Sequence, residues 1–233
     1  MAPPMTITAA SAQQPLSAAL RTGSRAEHES AENSGFVTEL LAGRVNEAGY
    51  AAYLRRLHTV YVALEDSVFA HRDDPLVAAV YDPALERRAA LEADLDHWAP
   101  GQPLETTSVA AAAYADRLRD ADWGGALLAH HYTRYLGDLS GGRAIGKTLN
   151  RIFALDGAGL AFYDFPQIPK PKPYKDAYRA RLDALDLPAD VAARIVDEVK
   201  VAFRLNEAVF AELALGLPGY ARPANPESPT APA

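Results

Sequence analysis

Apolar residues recur at intervals of three and four along most of the chain. Tyr50, Leu54, Leu57, Tyr61, Leu64 and Val68 fall on one face of a single long segment, the period of a helix buried along one side. The same spacing predicts helices over 17–33, 36–42, 46–72, 83–98, 107–122, 126–154, 174–185 and 188–215, and no segment alternates as a strand does. Helix punctuation agrees. Ser17 after Pro15 reads as an N-cap, Asp82 and Pro83 as N-cap and first turn, Gly124 and Gly125 as a break, and Pro188 as the opening of the last helix. Residues 166–173, Pro-Gln-Ile-Pro-Lys-Pro-Lys-Pro, are expected to be non-helical and to cross the surface. The fold expected is all-α, a single domain of seven or eight helices without internal repeats.

Residues 1–14 and 219–233 lack this periodicity and are rich in Pro, Ala, Ser and Thr, so they read as tails without fixed structure around a body at 15–218. With 49% hydrophobic residues among 233, the body can fill a sizeable core. The first twenty residues carry no side-chain charge, yet they have no basic start and no unbroken apolar run, so a secretory signal is not expected. Nor does any stretch approach the roughly 18 apolar residues of a membrane span. The expectation is a cytoplasmic protein without a membrane anchor.

Charge and composition narrow the chemistry. A net charge of -7 argues against a general nucleic-acid binder. The absence of cysteine rules out disulfides, a thiolate nucleophile, Cys-ligated metal and thiolate-ligated haem. The only methionines are Met1 and Met5, both in the N-terminal tail. With thiolate and thioether set aside, a neutral imidazole is the first candidate to hold a metal.

Two segments stand out. Within 127–143, an apolar helical pattern contains Gly137, Gly141 and Gly142, although each interior glycine costs about 0.5–1 kcal/mol relative to alanine. Gly137 and Gly141, four apart, share a face that can meet either a flat ligand or a closely packed helix. Arg134 and Asp138 are also four apart, the spacing of a surface ion pair. In the first helix Arg21, Arg25, His28 and Glu32 form one stripe, where an imidazole can ligate a metal while the arginines meet carboxylates at a ligand's rim. A hydrogen-bonded surface histidine is the plainer alternative.

Residues 132–142, Tyr-Thr-Arg-Tyr-Leu-Gly-Asp-Leu-Ser-Gly-Gly, resemble the distal-helix signature of the haem oxygenase family, and residues 25–33, Arg-Ala-Glu-His-Glu-Ser-Ala-Glu-Asn, resemble its proximal helix. Further similar stretches at 61–65, 89–92 with Trp98, 159–166, 178–181 and 202–206 follow in order, so the resemblance covers nearly everything between the tails. It implies haem b, bound non-covalently between the proximal N-terminal helix and a glycine-kinked distal helix, with His28 as the protein ligand to iron and Glu32 on the same helix. Gly137, Gly141 and Gly142 would let the distal helix lie over the haem. Asp138 would organise distal water with support from Arg134 and Tyr61. Arg21, Arg25, Lys175, Arg179 and Tyr132 match positions facing the propionates, and Phe203, Asn206 and Phe210 match positions lining the pocket.

The activity implied is oxidation of haem, both cofactor and substrate, by O2 to biliverdin, carbon monoxide and ferrous iron, with cleavage at the α position. Electrons would come from an external donor such as a ferredoxin, a flavodoxin or an NAD(P)H-dependent reductase. The implied form is a soluble bacterial one, and a monomer. Arg21 and Arg25 stand where many relatives carry Lys, Arg143 where they often have an uncharged residue, and His131 where Ala is common. Three other readings fit less well: a non-catalytic haem carrier needs neither Gly137 nor Asp138, a di-iron oxidase needs paired Glu-x-x-His motifs that do not occur, and a purely structural bundle leaves the glycines unexplained.

Overall fold

The computed structural model describes residues 14–222 except Asn33, with the backbone but not the side chain of Glu32. Residues 1–13 and 223–233, most of the two expected tails, lie outside the described residues. The helices are α1 (Leu16–Gly23), α2 (Arg25–Glu32), α3 (Gly35–Leu41), α4 (Glu47–Ala70), α5 (Pro75–Ala78), α6 (Arg88–Trp98), α7 (Val109–Arg119), α8 (Gly124–Gly137), α9 (Arg143–Phe153), α10 (Pro171–Asp183) and α11 (Ala189–Leu215). Short 3-10 turns at Pro83–Leu85, Ala161–Tyr163 and Leu217–Gly219 and one π turn at Asp138–Gly142 complete the element order. Among the described residues there is no strand, only an isolated antiparallel bridge between Val45 and Ala221.

The all-α expectation holds, with more helical segments than expected because three predicted runs are interrupted. The first bends at Ser24, whose φ of -117° and ψ of 16° leave the helical region. The Ser24 hydroxyl donates to Leu20 O at 2.8 Å, the back-bond that weakens a helix locally. The expected stripe is therefore split, with Arg21 on α1 and Arg25, His28 and Glu32 on α2. The 83–98 run divides into a 3-10 turn and α6, and the 126–154 run carries the π turn. Short α5 lies between predicted runs and was not expected.

Other details of punctuation differ. Ser17 does not cap α1; instead Asp183, the last residue of α10, accepts from Ser17 N at 2.8 Å and from its hydroxyl at 2.9 Å. Gly124 and Gly125 begin α8, where a Cβ would collide with Asp74 or Trp123. Pro171 and Pro173 lie in the first turn of α10, where a missing N–H costs nothing. The connection before it buries Phe165 and Ile168 instead of remaining wholly on the surface. Residues 219–222 are not part of a tail. Asn46 N donates to Tyr220 O at 2.8 Å, and Arg222 bonds to Arg44 O and Ile152 O.

The core is built on α4, where Tyr50, Leu54, Leu57, Val60, Tyr61, Leu64 and Val68 are all buried. Each large apolar side chain contributes about 1.5–3 kcal/mol by leaving water. Helices α6 and α7 pack on α4, and α11 lies against α1, α2, α3, α7 and α8. Residues 124–131 of α8 are all buried, as expected of a helix surrounded by protein. Two histidines of α8 sit in this core. His130 pairs with Glu198 at 3.0 Å, and Arg117 binds the same carboxylate through two nitrogens.

His131 gives a pH prediction. Burial, aided by the charge of Arg181, lowers its pKa to about 3, whereas an unfolded histidine titrates near 6.5. Below about pH 6.5 the unfolded chain therefore binds a proton that the folded chain refuses, and this contribution to stability is lost as pH falls toward 3. Urea unfolding of wild type and His131→Asn should show the wild type losing ground to the variant between pH 7 and 4. A constant difference would contradict it.

Candidate functional site

The end of α8 and the π turn after it carry the first group of expected residues. A π turn accommodates one extra residue and recurs at functional sites. Here it turns Gly137 and Gly141 outward: both are exposed, and a Cβ added at either would meet nothing within 4 Å. Gly146 is different, since a Cβ there would lie 2.9 Å from Tyr163, and Gly142 is buried with Tyr163 at 3.3 Å. Gly142 and Gly146 are packing glycines. Gly137 and Gly141 pack against no protein group, so close helix packing does not account for them. Gly137→Ala should accordingly stabilise the protein by about 0.5–1 kcal/mol, measured by urea unfolding, while Gly137→Leu should leave stability near wild type and block any ligand on this face. A strongly destabilised Gly137→Ala would show that the face is a packing surface.

Beneath this face runs a chain of polar contacts. Asn206 Oδ1 on α11 accepts from Arg134 Nη1 at 2.6 Å, Arg134 Nε donates to the Tyr61 hydroxyl at 3.2 Å, and that hydroxyl donates to Asp138 Oδ2. Tyr61 is fully buried and Arg134 is 8% exposed. The Arg134 guanidinium also lies 5.0 Å from the centroid of the Tyr61 ring. Among the described residues Arg134 and Asp138 form no direct ion pair; Tyr61 stands between them. The surface-pair alternative therefore fails, because a buried arginine needs such partners. Burial pushes the Asp138 carboxyl above its usual range, opposed by the Arg134 charge, the Tyr61 hydrogen bond and the Arg87 charge.

His28 is exposed on α2, and its ring forms a T-shaped pair with Phe203 on α11, centroids 5.7 Å apart. Phe203 and Asn206 are three residues apart, a rise of roughly 4.5 Å along the helix. One turn of α11 thus supports His28 with one side chain and Arg134 with another. Phe210 lies deeper, buried against Tyr53 at 6.0 Å.

The expected cations gather only in part. Lys175 Nζ on α10 donates to the Ser140 hydroxyl in the π turn at 2.9 Å, and burial together with the neighbouring Arg179 lowers its pKa. Burial raises the Tyr132 phenol, with the charges of Arg179 and Arg21 opposing. Arg25 stands apart, 80% exposed and paired with Glu29 at 3.0 Å. The side chain of Glu32 lies outside the described residues.

Several participants were not expected from the sequence. Tyr53 is raised to about 12 by burial and feels the charges of Arg134 and Asp138. Arg87 is buried, donates to Asp164 O and adds its charge near Asp138. Tyr53 lies eight residues before Tyr61 on α4, a helical repeat that marks the shared side, whereas nothing local marks Arg87. A cavity of about 270 Å³ opens beside Arg143, Asp164, Phe165 and Ile168, and none of the expected site residues lines it.

The arrangement defines an all-α protein with an open glycine face, an exposed imidazole, and cations from α1 and α10 beside the same helix. Such a site suits a flat anionic group that takes one nitrogen ligand. The family model described as heme oxygenase matches residues 14–212. Heme oxygenase 1 of Rattus norvegicus is 39% identical over 215 residues, covering 87% of this chain and 73% of the relative. Heme oxygenase 1 of the cyanobacterium Synechocystis is 38% identical over 202 residues, covering 85% of this chain and 84% of the relative. The crystal structure of the Synechocystis heme oxygenase-1 in complex with heme superposes with a TM-score of 0.84 at 37% identity, covering 88% of this chain and 95% of that one. The chain belongs to the heme oxygenase family.

Proposed function

We propose that this haem oxygenase binds haem b against the open face of Gly137 and Gly141 with His28 as the protein ligand to iron, and cleaves it with O2 to biliverdin, carbon monoxide and ferrous iron. The observation that carries the reading is the unfilled space over those two glycines, beside packing glycines on the same helical stretch. The residues fit the group: His28 brings an imidazole on an exposed residue whose ring packs on Phe203, the glycines offer backbone without side chains, and Lys175, Arg179 and Arg21 offer charges to two propionates. Haem supplies the redox chemistry and the carbon skeleton that is oxidised.

The protein's own part is positional and electrostatic. Asp138 holds water on the open side, and its raised pKa brings the carboxyl toward the range in which it can pass a proton. Tyr61 and Arg134, fixed by Asn206, hold that carboxylate in place. Lys175 and Arg179 fix the rotation of the macrocycle, which directs cleavage to the α position. Electrons arrive from an external donor, a ferredoxin, a flavodoxin or an NAD(P)H-dependent reductase, drawn by the basic rim of Arg21, Lys175 and Arg179, from which Arg25 is set apart by its pairing with Glu29. The protein works as a cytoplasmic monomer. Among the described residues no helix is long and apolar enough to cross a membrane.

The test is a hemin titration followed by ascorbate. Wild type should bind hemin with an imidazole-type spectrum and convert it to biliverdin. Lys175→Ala with Arg179→Ala should keep that spectrum, weaken hemin binding about tenfold and release a mixture of isomers. Binding without any biliverdin from the wild type would overturn the reading in favour of a haem carrier.

A further inference from the structure

His131 is used by none of this chemistry, yet it occupies a costly position. It is 2% exposed in the wall of α8, stacked on Tyr178 with ring centroids 5.8 Å apart and planes 11° from parallel, and set against Tyr135 at 4.5 Å. Its Nδ1 lies 2.9 Å from the Tyr178 hydroxyl. That contact is a hydrogen bond in either neutral tautomer, because the hydroxyl can donate or accept. A buried imidazole and a buried phenol that satisfy each other make a directional joint between two helices.

The joint connects the two helices that matter for the basic rim. His131 immediately precedes Tyr132 on α8, and Tyr178 lies on α10 between Lys175 and Arg179. Besides this joint, α10 reaches the distal segment through Lys175, whose ammonium is held by the exposed Ser140 hydroxyl. That is one bond to a hydroxyl, and a carboxylate, which brings a full opposite charge and two acceptor oxygens, competes for the same ammonium. The other polar contacts of α10, Tyr174 to Asp82 at 2.6 Å, Arg181 to Ala79 O at 2.8 Å and Asp183 to Ser17 N and hydroxyl, tie it to residues 79–82 and to α1 and not to α8. Without the His131 bond, α10 retains an anchor about which it can shift relative to the distal glycines.

The geometry points to His131 as a positioning residue: through Tyr178 it fixes α10, and with it Lys175 and Arg179, against the distal helix, and thereby sets the in-plane orientation of the bound macrocycle. This rests on the reading of Lys175 and Arg179 as propionate partners. His131 touches no reacting atom and acts only through Tyr178.

The experiment compares His131→Ala, Tyr178→Phe, the double variant and His131→Asn, whose amide keeps a hydrogen-bonding atom near the place of Nδ1. Two readouts are taken on the hemin complex. Proton NMR of the haem methyl groups in the ferric cyanide form reports orientation without turnover, and chromatography of biliverdin reports the isomers formed with ascorbate. Wild type and His131→Asn should each give one dominant set of methyl signals and one isomer. His131→Ala and Tyr178→Phe should each show a second set and a second isomer at roughly a tenth of the total or more. The double variant should be no worse than either single one, because both remove the same bond.

Tyr178→Phe removes a single oxygen and keeps the core filled, so it decides the matter if His131→Ala does not fold. A single orientation and a single isomer in folded Tyr178→Phe would overturn the inference and leave His131 as core packing. The Lys175→Ala, Arg179→Ala variant separates the two levels: scrambling there, with none in Tyr178→Phe, defeats only the role of His131. No scrambling in either defeats the propionate assignment beneath it.

Discussion

Replacing His28 with alanine is expected to remove the imidazole-type spectrum of the hemin complex and nearly all turnover. The loss should exceed the roughly 10–100-fold that removal of an outer-shell partner of a metal site costs, because here the ligand itself is lost. The structure gives this prediction its form. His28 is exposed and its ring forms a T-shaped pair with Phe203, so its removal leaves an accessible gap and not a collapsed core. Added imidazole should therefore enter and restore part of both spectrum and rate. Stability should change little, since α2 keeps its place on α11 through its other residues. An unchanged spectrum and rate in His28→Ala would show that iron is held elsewhere.

The second large effect is expected at Asp138. Asp138→Ala should bind hemin through His28 with an affinity within about twofold of wild type, because no group proposed to touch haem is removed. Biliverdin formation should fall by about 10²-fold or more, the range lost with a positioned proton-transfer group. The Tyr61 hydroxyl loses its acceptor, while Arg134 keeps Asn206 and the Tyr61 oxygen, so the folding cost should be about 1–3 kcal/mol. Single-turnover spectroscopy of the ferric complex with hydrogen peroxide measures the effect without a reductase. Biliverdin at the wild-type rate would make Asp138 a bystander of Tyr61.

Much of this architecture was legible in the sequence because helical burial repeats every three to four residues. The buried face of α4 is the one its spacing marks, from Tyr50 to Val68. Breaks were harder to read. The bend at Ser24 depends on one hydroxyl turning back to Leu20 O, and the π turn adds a residue without altering the local apolar pattern. The glycines were conspicuous, but sequence alone left ligand and packing as equal explanations. Three dimensions separate them, assigning Gly142 to Tyr163 and leaving Gly137 and Gly141 open. Likewise Arg134 and Asp138 had the spacing of a surface pair; the family resemblance linked Tyr61 to them, and the approach of α4 makes the link a buried chain through the Tyr61 hydroxyl. Arg87 and Tyr53 were missed for the same reason, since their relation to Asp138 depends on packing between distant segments.

The most direct test of the account is a crystal structure of the hemin complex. It should place the His28 imidazole on the iron and the backbone of Gly137 and Gly141 against the opposite face, with Asp138 hydrogen-bonded to water on that side. Iron ligated by another histidine, or haem bound away from the two glycines, would contradict it.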